Sequence, residues 1–169
     1  MAEVKMEKYY QAYDKRYQQI HNLKLQWSSD VVTPILQELT VQFGIRKTDK
    51  ILEIGCGEGR DALWLLEQGY DVLATDVSKE AISYCKKKNS KFSHLFFQLD
   101  VCEERLPQTF KFIYSISVIH MLVNQEDRNR FLTFIRDHLD EDGYGLILTM
   151  GDGEYEVTGD ITSAFDSVK

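Results

Sequence analysis

Long apolar runs are missing from this sequence. No stretch approaches the ~18–20 apolar residues that a membrane-spanning helix needs, and no apolar segment of the secretory kind lies near the N-terminus. Neither a membrane span nor a signal peptide is expected, and a cytoplasmic location is. Cysteine is scarce: Cys56, Cys85 and Cys102 are the only three, with no C-x-x-C spacing. An odd, scattered set is no disulfide framework and reads as reduced thiols; no metal is expected. Basic residues are outnumbered, 20 Lys and Arg against 27 Asp and Glu, for a net charge of -7. That balance speaks against a bulk nucleic-acid partner, which calls for a basic face. Low-complexity tracts and internal repeats are absent as well. Present instead is a 43% hydrophobic share over 169 residues, enough for one domain with a sizeable core.

The informative stretch runs from Ile51 to Asp76, ILEIGCGEGRDALWLLEQGYDVLATD. Ile51–Ile54 is a short apolar run that reads as a buried strand. Gly55, Gly57 and Gly59 follow at alternate positions. Arg60 to Gln68 is helical in pattern, with Ala62, Leu65 and Leu66 on one face and Gly69 as a stop. Asp71–Thr75 is a second strand, with Asp76 at its end. Glycines let the main chain turn tightly and let a ligand approach it closely. Free N–H groups at the following helix start favour a polar or anionic ligand group. An acid at the end of the next parallel strand shares that crevice and can accept from both hydroxyls of a ribose. The unit reads as a binder of an adenosine-type cofactor.

The dinucleotide fingerprint G-x-G-x-x-G is not met, because Arg60 stands at its last glycine. The glycines form Glu53-x-Gly55-x-Gly57-x-Gly59 instead. That pattern resembles motif I of the class I S-adenosylmethionine-dependent methyltransferases. The resemblance covers about Trp27 to Met150 and implies S-adenosylmethionine as cofactor and S-adenosylhomocysteine as product. It implies that Glu53 and the loop backbone face the methionine part and that Asp76 holds the ribose. Leu99-Asp100-Val101-Cys102 is similar to the family's acidic loop after strand three. There Asp100 would accept from the adenine amine, and the Val101 N–H would meet a ring nitrogen. Ser117 would face the crevice from strand four. The cofactor-binding set is Glu53, Gly55, Cys56, Gly57, Gly59, Arg60, Asp76, Val77, Asp100, Val101 and Ser117.

Elsewhere, residues 1–25 carry Met6, Tyr9, Tyr10, Tyr13, Tyr17 and Ile20 at helical spacing. Family members often use such a helix as a lid, which makes Tyr13, Arg16 and Tyr17 candidates for closing the site. Trp27–Asp30 reads as a break with capping residues before a second helix bearing Val32, Ile35, Leu36, Leu39 and Phe43. Pro34 sits in its first turn and Gly44 ends it. Ser78 is expected to cap a helix over Lys79–Lys88, whose final three lysines suit the helix dipole and solvent. His94–Leu99 reads as a third strand and Phe112–Val118 as a fourth. Lys111 replaces the acid that the family often carries just before the fourth strand. His120 follows on a loop or first helical turn. Gln125–Leu139 reads as a helix with Phe131, Phe134, Ile135 and Leu139 inward, Asp140–Gly143 as a turn, and Tyr144–Met150 as a fifth strand.

Strands alternating with helices imply an α/β fold: a doubly wound, mostly parallel, Rossmann-like sheet. The expected organisation is a helical cap over residues 1–45, a cofactor-binding α/β domain over 46–150, and a polar segment over 151–169. The family adds two further strands, whereas the 19 residues after Met150 read as a loop with a short helix near Ser163. Either the chain is a truncated form or the sheet ends early; if early, strand five is an exposed apolar edge, and a homodimer through it or an aggregation-prone protein is expected. Amino-methylating nucleic-acid enzymes of this class carry an N/D-P-P-Y/F motif after strand four; Ser115–Val118 has no proline. A small-molecule acceptor follows, and Gly59–Leu65 resembles the tellurite- and thiopurine-modifying members. Methyl transfer to such an acceptor by in-line displacement is the implied reaction. His120 and Tyr13 are the candidate proton acceptors. A cofactor-binding module without catalysis is the alternative.

Overall fold

The computed structural model describes residues 8–149. Met6, Met150 and the 151–169 segment, with its expected short helix near Ser163, lie outside the described residues. A 3-10 turn at Tyr9–Ala12 leads into α1 (Tyr13–Asn22), and α2 spans Pro34–Gln42. Then come β1 (Lys50–Ile54), α3 (Arg60–Glu67), β2 (Asp71–Asp76), α4 (Lys79–Lys88), β3 (Phe96–Gln98), β4 (Phe110–Ile116), α5 (Gln125–His138) and β5 (Leu139–Leu148). The strands lie in the order β3-β2-β1-β4-β5, every neighbouring pair parallel. Order reverses between β1 and β4, so the crevice at their carboxyl ends is where such a sheet takes a ligand.

Both faces of the inner strands β1, β2 and β4 are covered, which is why these read as largely apolar runs rather than alternating ones. Ile51, Val72, Phe112 and Tyr114 pack with Leu36 of α2, Ala62, Leu65 and Leu66 of α3, and Cys85 of α4. Leu52, Ile54 and Ile113 point the other way, onto Phe131, Phe134 and Ile135 of α5. Each such fully buried side chain stabilises the fold by roughly 1.5–3 kcal/mol. Ser78 caps α4 as expected, accepting from the Ala81 N–H, and Lys86, Lys87 and Lys88 face solvent in its last turn.

Several boundaries differ from the sequence reading. The third strand is only Phe96–Gln98, because Ser90–Leu95 winds into a 3-10 helix. That winding brings Phe92 and Leu95, three apart, onto the same side and against the core. The fourth strand begins and ends two residues earlier than expected, stopping where Ser117 takes a left-handed φ of 60°. The second helix starts at Pro34, so Val32 precedes it, and Trp27–Ser28 serve the site rather than a cap. Asp140–Gly143 is not a separate turn but surplus chain within β5: Phe110 pairs with Leu139, and Phe112 already pairs with Tyr144.

Lys111, the departure from the family's acid, donates to Asp142 Oδ2 at 2.7 Å and to the Asp142 carbonyl at 2.8 Å. Lysine before β4 and an acidified corner before β5 are therefore complementary changes. Asp142 is exposed, so the pair fixes register more than it adds stability. Among the described residues β5 is the outer strand; Tyr144 stacks on Phe43 at 4.2 Å, while Ile147 and Leu148 remain exposed. No helix among the described residues is long and apolar enough to cross a membrane.

Candidate active site

A cavity of about 420 Å³ opens at the carboxyl ends of β1 to β4. Its floor is the chain reversal between β1 and α3. The positive φ values of Gly55 (79°) and Gly57 (52°) let the main chain fold back there. A Cβ at Gly55 would meet Val118 Cγ2 at 2.2 Å, and one at Gly57 would meet the Tyr17 hydroxyl at 2.7 Å. A side chain at either position would be strained by the left-handed backbone and would have to displace Val118 or the Tyr17 hydroxyl.

Glu53, one residue before the end of β1, has its carboxyl group buried against the cavity, and Oε2 has no hydrogen-bond partner among the described residues. Burial, reinforced by the nearby Asp61 charge, pushes its pKa up to about 8. The Tyr114 hydroxyl is buried beside it and offsets part of that rise, though the two do not reach hydrogen-bond geometry.

Asp76 ends β2. Its Oδ2 accepts from the Gly57 N–H at 2.9 Å and its Oδ1 from the Ser78 N–H at 2.8 Å. Each oxygen keeps a second lone pair for a ligand. Burial raises its pKa against the pull of those two donors. Asp100, after β3, accepts from the Cys102 N–H at 3.0 Å, and the Tyr10 hydroxyl donates to both its oxygens at 3.2 and 3.1 Å. Burial likewise lifts the Asp100 carboxyl and the Tyr10 phenol above their ordinary ranges.

Cys56, Val77, Val101 and Ser117 line the same cavity as the acids and the loop glycines Gly55 and Gly57. Gly59 does not; it packs under Cys85 and Phe96 with a φ of 82°. Arg60 lines the cavity, yet its guanidinium is turned to Asp61 at 2.6 Å and to the Thr33 hydroxyl at 2.7 Å. Tyr13 and Tyr17 lie over the cavity, whereas Arg16 is outside it with its guanidinium 5.4 Å from the Tyr13 ring centroid. Burial raises the pKa of both tyrosines. His120 sits in a 3-10 turn after β4, its Nδ1 3.3 Å from Thr149 Oγ1, and it does not line the cavity.

One residue that holds the site together was passed over in the sequence. Glu58, between two loop glycines and 4% exposed, accepts from the Trp27 N–H, the Ser28 N–H and the Ser28 hydroxyl at 2.7–2.9 Å. Its Oε1 also lies 3.1 Å from His21 Nε2. Burial pushes the Glu58 carboxyl up, but these donors outweigh it and hold the pKa below the usual value. Glu58 therefore fastens α1 and the segment after it to the glycine loop. Asp14 makes a second fastening, accepting from the Ser78 hydroxyl and the Glu80 N–H at 2.8 Å. An acid between glycines in a loop that must lie over the site was the available signal.

The model of the methyltransferase domain family matches residues 51–143, more than half of the chain. The chain belongs to that family. It is 30% identical over 103 residues to a Haemophilus influenzae protein described as a probable S-adenosyl-L-methionine-dependent methyltransferase, TehB. That match takes in 59% of this chain and 35% of the relative, so the chain spans about a third of that protein's length. The fold resembles the glycopeptide N-methyltransferase MtfA, with a TM-score of 0.64 at 22% identity over 77% of this chain and 58% of the other. It also resembles a TehB-like SAM-dependent methyltransferase from Corynebacterium glutamicum, with a TM-score of 0.60 at 24% identity over 93% and 80%.

Proposed function

We propose that the chain binds S-adenosylmethionine along the carboxyl ends of β1, β2 and β3 and transfers its methyl group to a small-molecule acceptor. The observation that carries this reading is convergence. Glu53, the loop at Gly55–Gly57, Asp76 and Asp100 come from three strands and meet at one cavity where strand order reverses. The residues present suit a nucleoside with an amino-acid tail. Asp76 retains acceptor capacity for both ribose hydroxyls. Asp100 and the Val101 N–H would read an adenine edge, with the Tyr10 hydroxyl sharing or yielding the carboxylate; that both residues line the cavity supports this. The unpartnered Glu53 Oε2 suits an α-ammonium group, and the Tyr17 hydroxyl over Gly57 would shift or share that place as a ligand approaches the loop.

The bound cofactor supplies an already activated sulfonium methyl, so the protein's contribution is alignment and exclusion of water. Tyr13, Tyr17 and Trp27 close the cavity from above, and Glu58 and Asp14 hold that cover in place. Among the candidate proton acceptors, Tyr13 faces the cavity, but burial raises its pKa and so keeps the phenol protonated and unable to accept a proton at neutral pH. His120 lies away from the cavity, and burial lowers its pKa. The acceptor proposed is accordingly one whose attacking atom needs no strong base.

A thermal melt separates this reading from a nicotinamide site. S-adenosylhomocysteine at about a hundred times its Kd should stabilise the fold by about 2.7 kcal/mol, which raises Tm by roughly 5–10 °C for a chain of this size. NADH should leave Tm unchanged; the reverse pattern contradicts the proposal. Methyl transfer to none of a panel of thiols, amines and hydroxyls, with S-adenosylhomocysteine still bound, would leave a binding module without catalysis.

A further inference from the structure

The cavity has a floor and a roof of different chemistry. The strand ends make the floor and carry the groups assigned above to the cofactor. The roof comes from outside the sheet: Tyr13 and Tyr17, one turn apart on α1, and Trp27 from the segment that follows. Centroid to centroid, the Trp27 ring lies 5.2 Å from Tyr17 and 6.2 Å from Tyr13, at tilts of 41° and 51°. The three rings form one aromatic surface over the cavity. Trp27 is 39% exposed, so that surface is reachable from solvent.

Charge around the cavity is one-sided. Glu53, Glu58, Asp61, Asp76 and Asp100 line it, and Arg60 is the single Lys or Arg among the described lining residues. That one cation is already committed to Asp61 and Thr33. An anion entering here would shed its hydration and meet carboxylates rather than a free guanidinium or ammonium. An ammonium group would enter the net negative field of those acids, each already engaged by the chain or assigned to the cofactor, and would meet the faces of aromatic rings, which attract cations.

Resting on the cofactor reading above, we propose that the acceptor is a flat, apolar amine, seated against the Tyr13–Tyr17–Trp27 surface, and that carboxylates and oxyanions are excluded. The bound ammonium loses its proton to solvent, the neutral nitrogen then attacks the methyl carbon as the carbon–sulfur bond breaks, and S-adenosylhomocysteine leaves.

Probes matched in shape and opposite in charge provide the test. Tryptamine, indole-3-acetate and selenite are each titrated calorimetrically into the whole chain saturated with S-adenosylhomocysteine. Tryptamine should bind at least about tenfold more tightly than indole-3-acetate, and selenite should give no binding heat. Trp27→Ala, checked to melt as the parent does, should weaken tryptamine by about tenfold or more; its backbone N–H to Glu58 is retained. Indole-3-acetate or selenite binding as well as tryptamine overturns the proposal, and so does tryptamine failing to bind at millimolar concentration. Failure of S-adenosylhomocysteine itself to bind sinks the cofactor reading and the acceptor class with it. Retained cofactor binding with the wrong probe preference sinks the acceptor class alone.

Discussion

Asp76→Ala is expected to weaken S-adenosylhomocysteine binding by at least about tenfold, since each hydrogen bond to a charged acceptor contributes about 1.5–3 kcal/mol and the ribose offers two donors. The substitution also frees the Gly57 and Ser78 N–H groups that Asp76 now engages. Part of the loss will therefore come from a looser glycine loop rather than from the missing ribose contacts. Asp76→Asn separates the two effects. It keeps the shape and one acceptor oxygen but turns an N–H₂ donor toward either a backbone N–H or a ribose hydroxyl. Calorimetric titration of both variants, beside melts that confirm folding, is the measurement. Affinity unchanged in either variant would remove Asp76 from the site.

Glu53→Gln should separate stability from binding. In the free protein the Glu53 carboxyl titrates near 8, above its ordinary value of 4.5, because the folded state buries it and sets Asp61 nearby. The folded state thus holds this proton more tightly than the unfolded chain does. The resulting stabilisation is complete below about 4.5 and is lost as pH rises through about 8. Glutamine cannot ionise, so the variant should melt higher than the parent at alkaline pH, by several degrees for each few kcal/mol of relief. The difference should close at mildly acidic pH. Cofactor binding should move in the opposite direction. A ligand ammonium group selects ionised Glu53, so parent affinity should rise between pH 6 and 8 with proton release, whereas the variant should be weaker and flat over that range. A variant that melts lower at alkaline pH, or that binds as well as the parent at pH 8, contradicts this role for Glu53.

The parts of the fold legible in the sequence are those set by local chemistry. Ile51–Ile54 and Asp71–Asp76 are apolar runs bounded by glycine or charge. The helix at Lys79–Lys88 announces itself through Ser78 and its closing lysines, and the Glu53–Gly59 pattern marks the turn between β1 and α3. Elements decided by long-range packing were less legible. Nothing local to His94 and Leu95 shows that Phe92 and Leu95 must turn onto the core and shorten β3. Nothing local to Ser117 shows that Val118 must sit against Gly55, which is what ends β4 early. At the site, the strand-end acids could be read because each lies at a predictable place in a parallel sheet. Glu58 stands out as an acid between glycines, but its partners at Trp27 and Ser28, and the pairing of Tyr10 with Asp100, could not be read, because they lie 30–31 and 90 residues apart. Arg60 illustrates the converse: its position in the motif points at the ligand, while its guanidinium is drawn aside by the adjacent Asp61.

A crystal structure of the chain with S-adenosylhomocysteine is the most direct measurement of where the nucleoside lies. The expected result is the ribose on Asp76, the adenine edge on Asp100 and Val101, and the amino-acid tail over Gly55–Gly57 beneath Tyr17. Density for the ligand anywhere else, or none beside those strand ends at saturating concentration, contradicts the account.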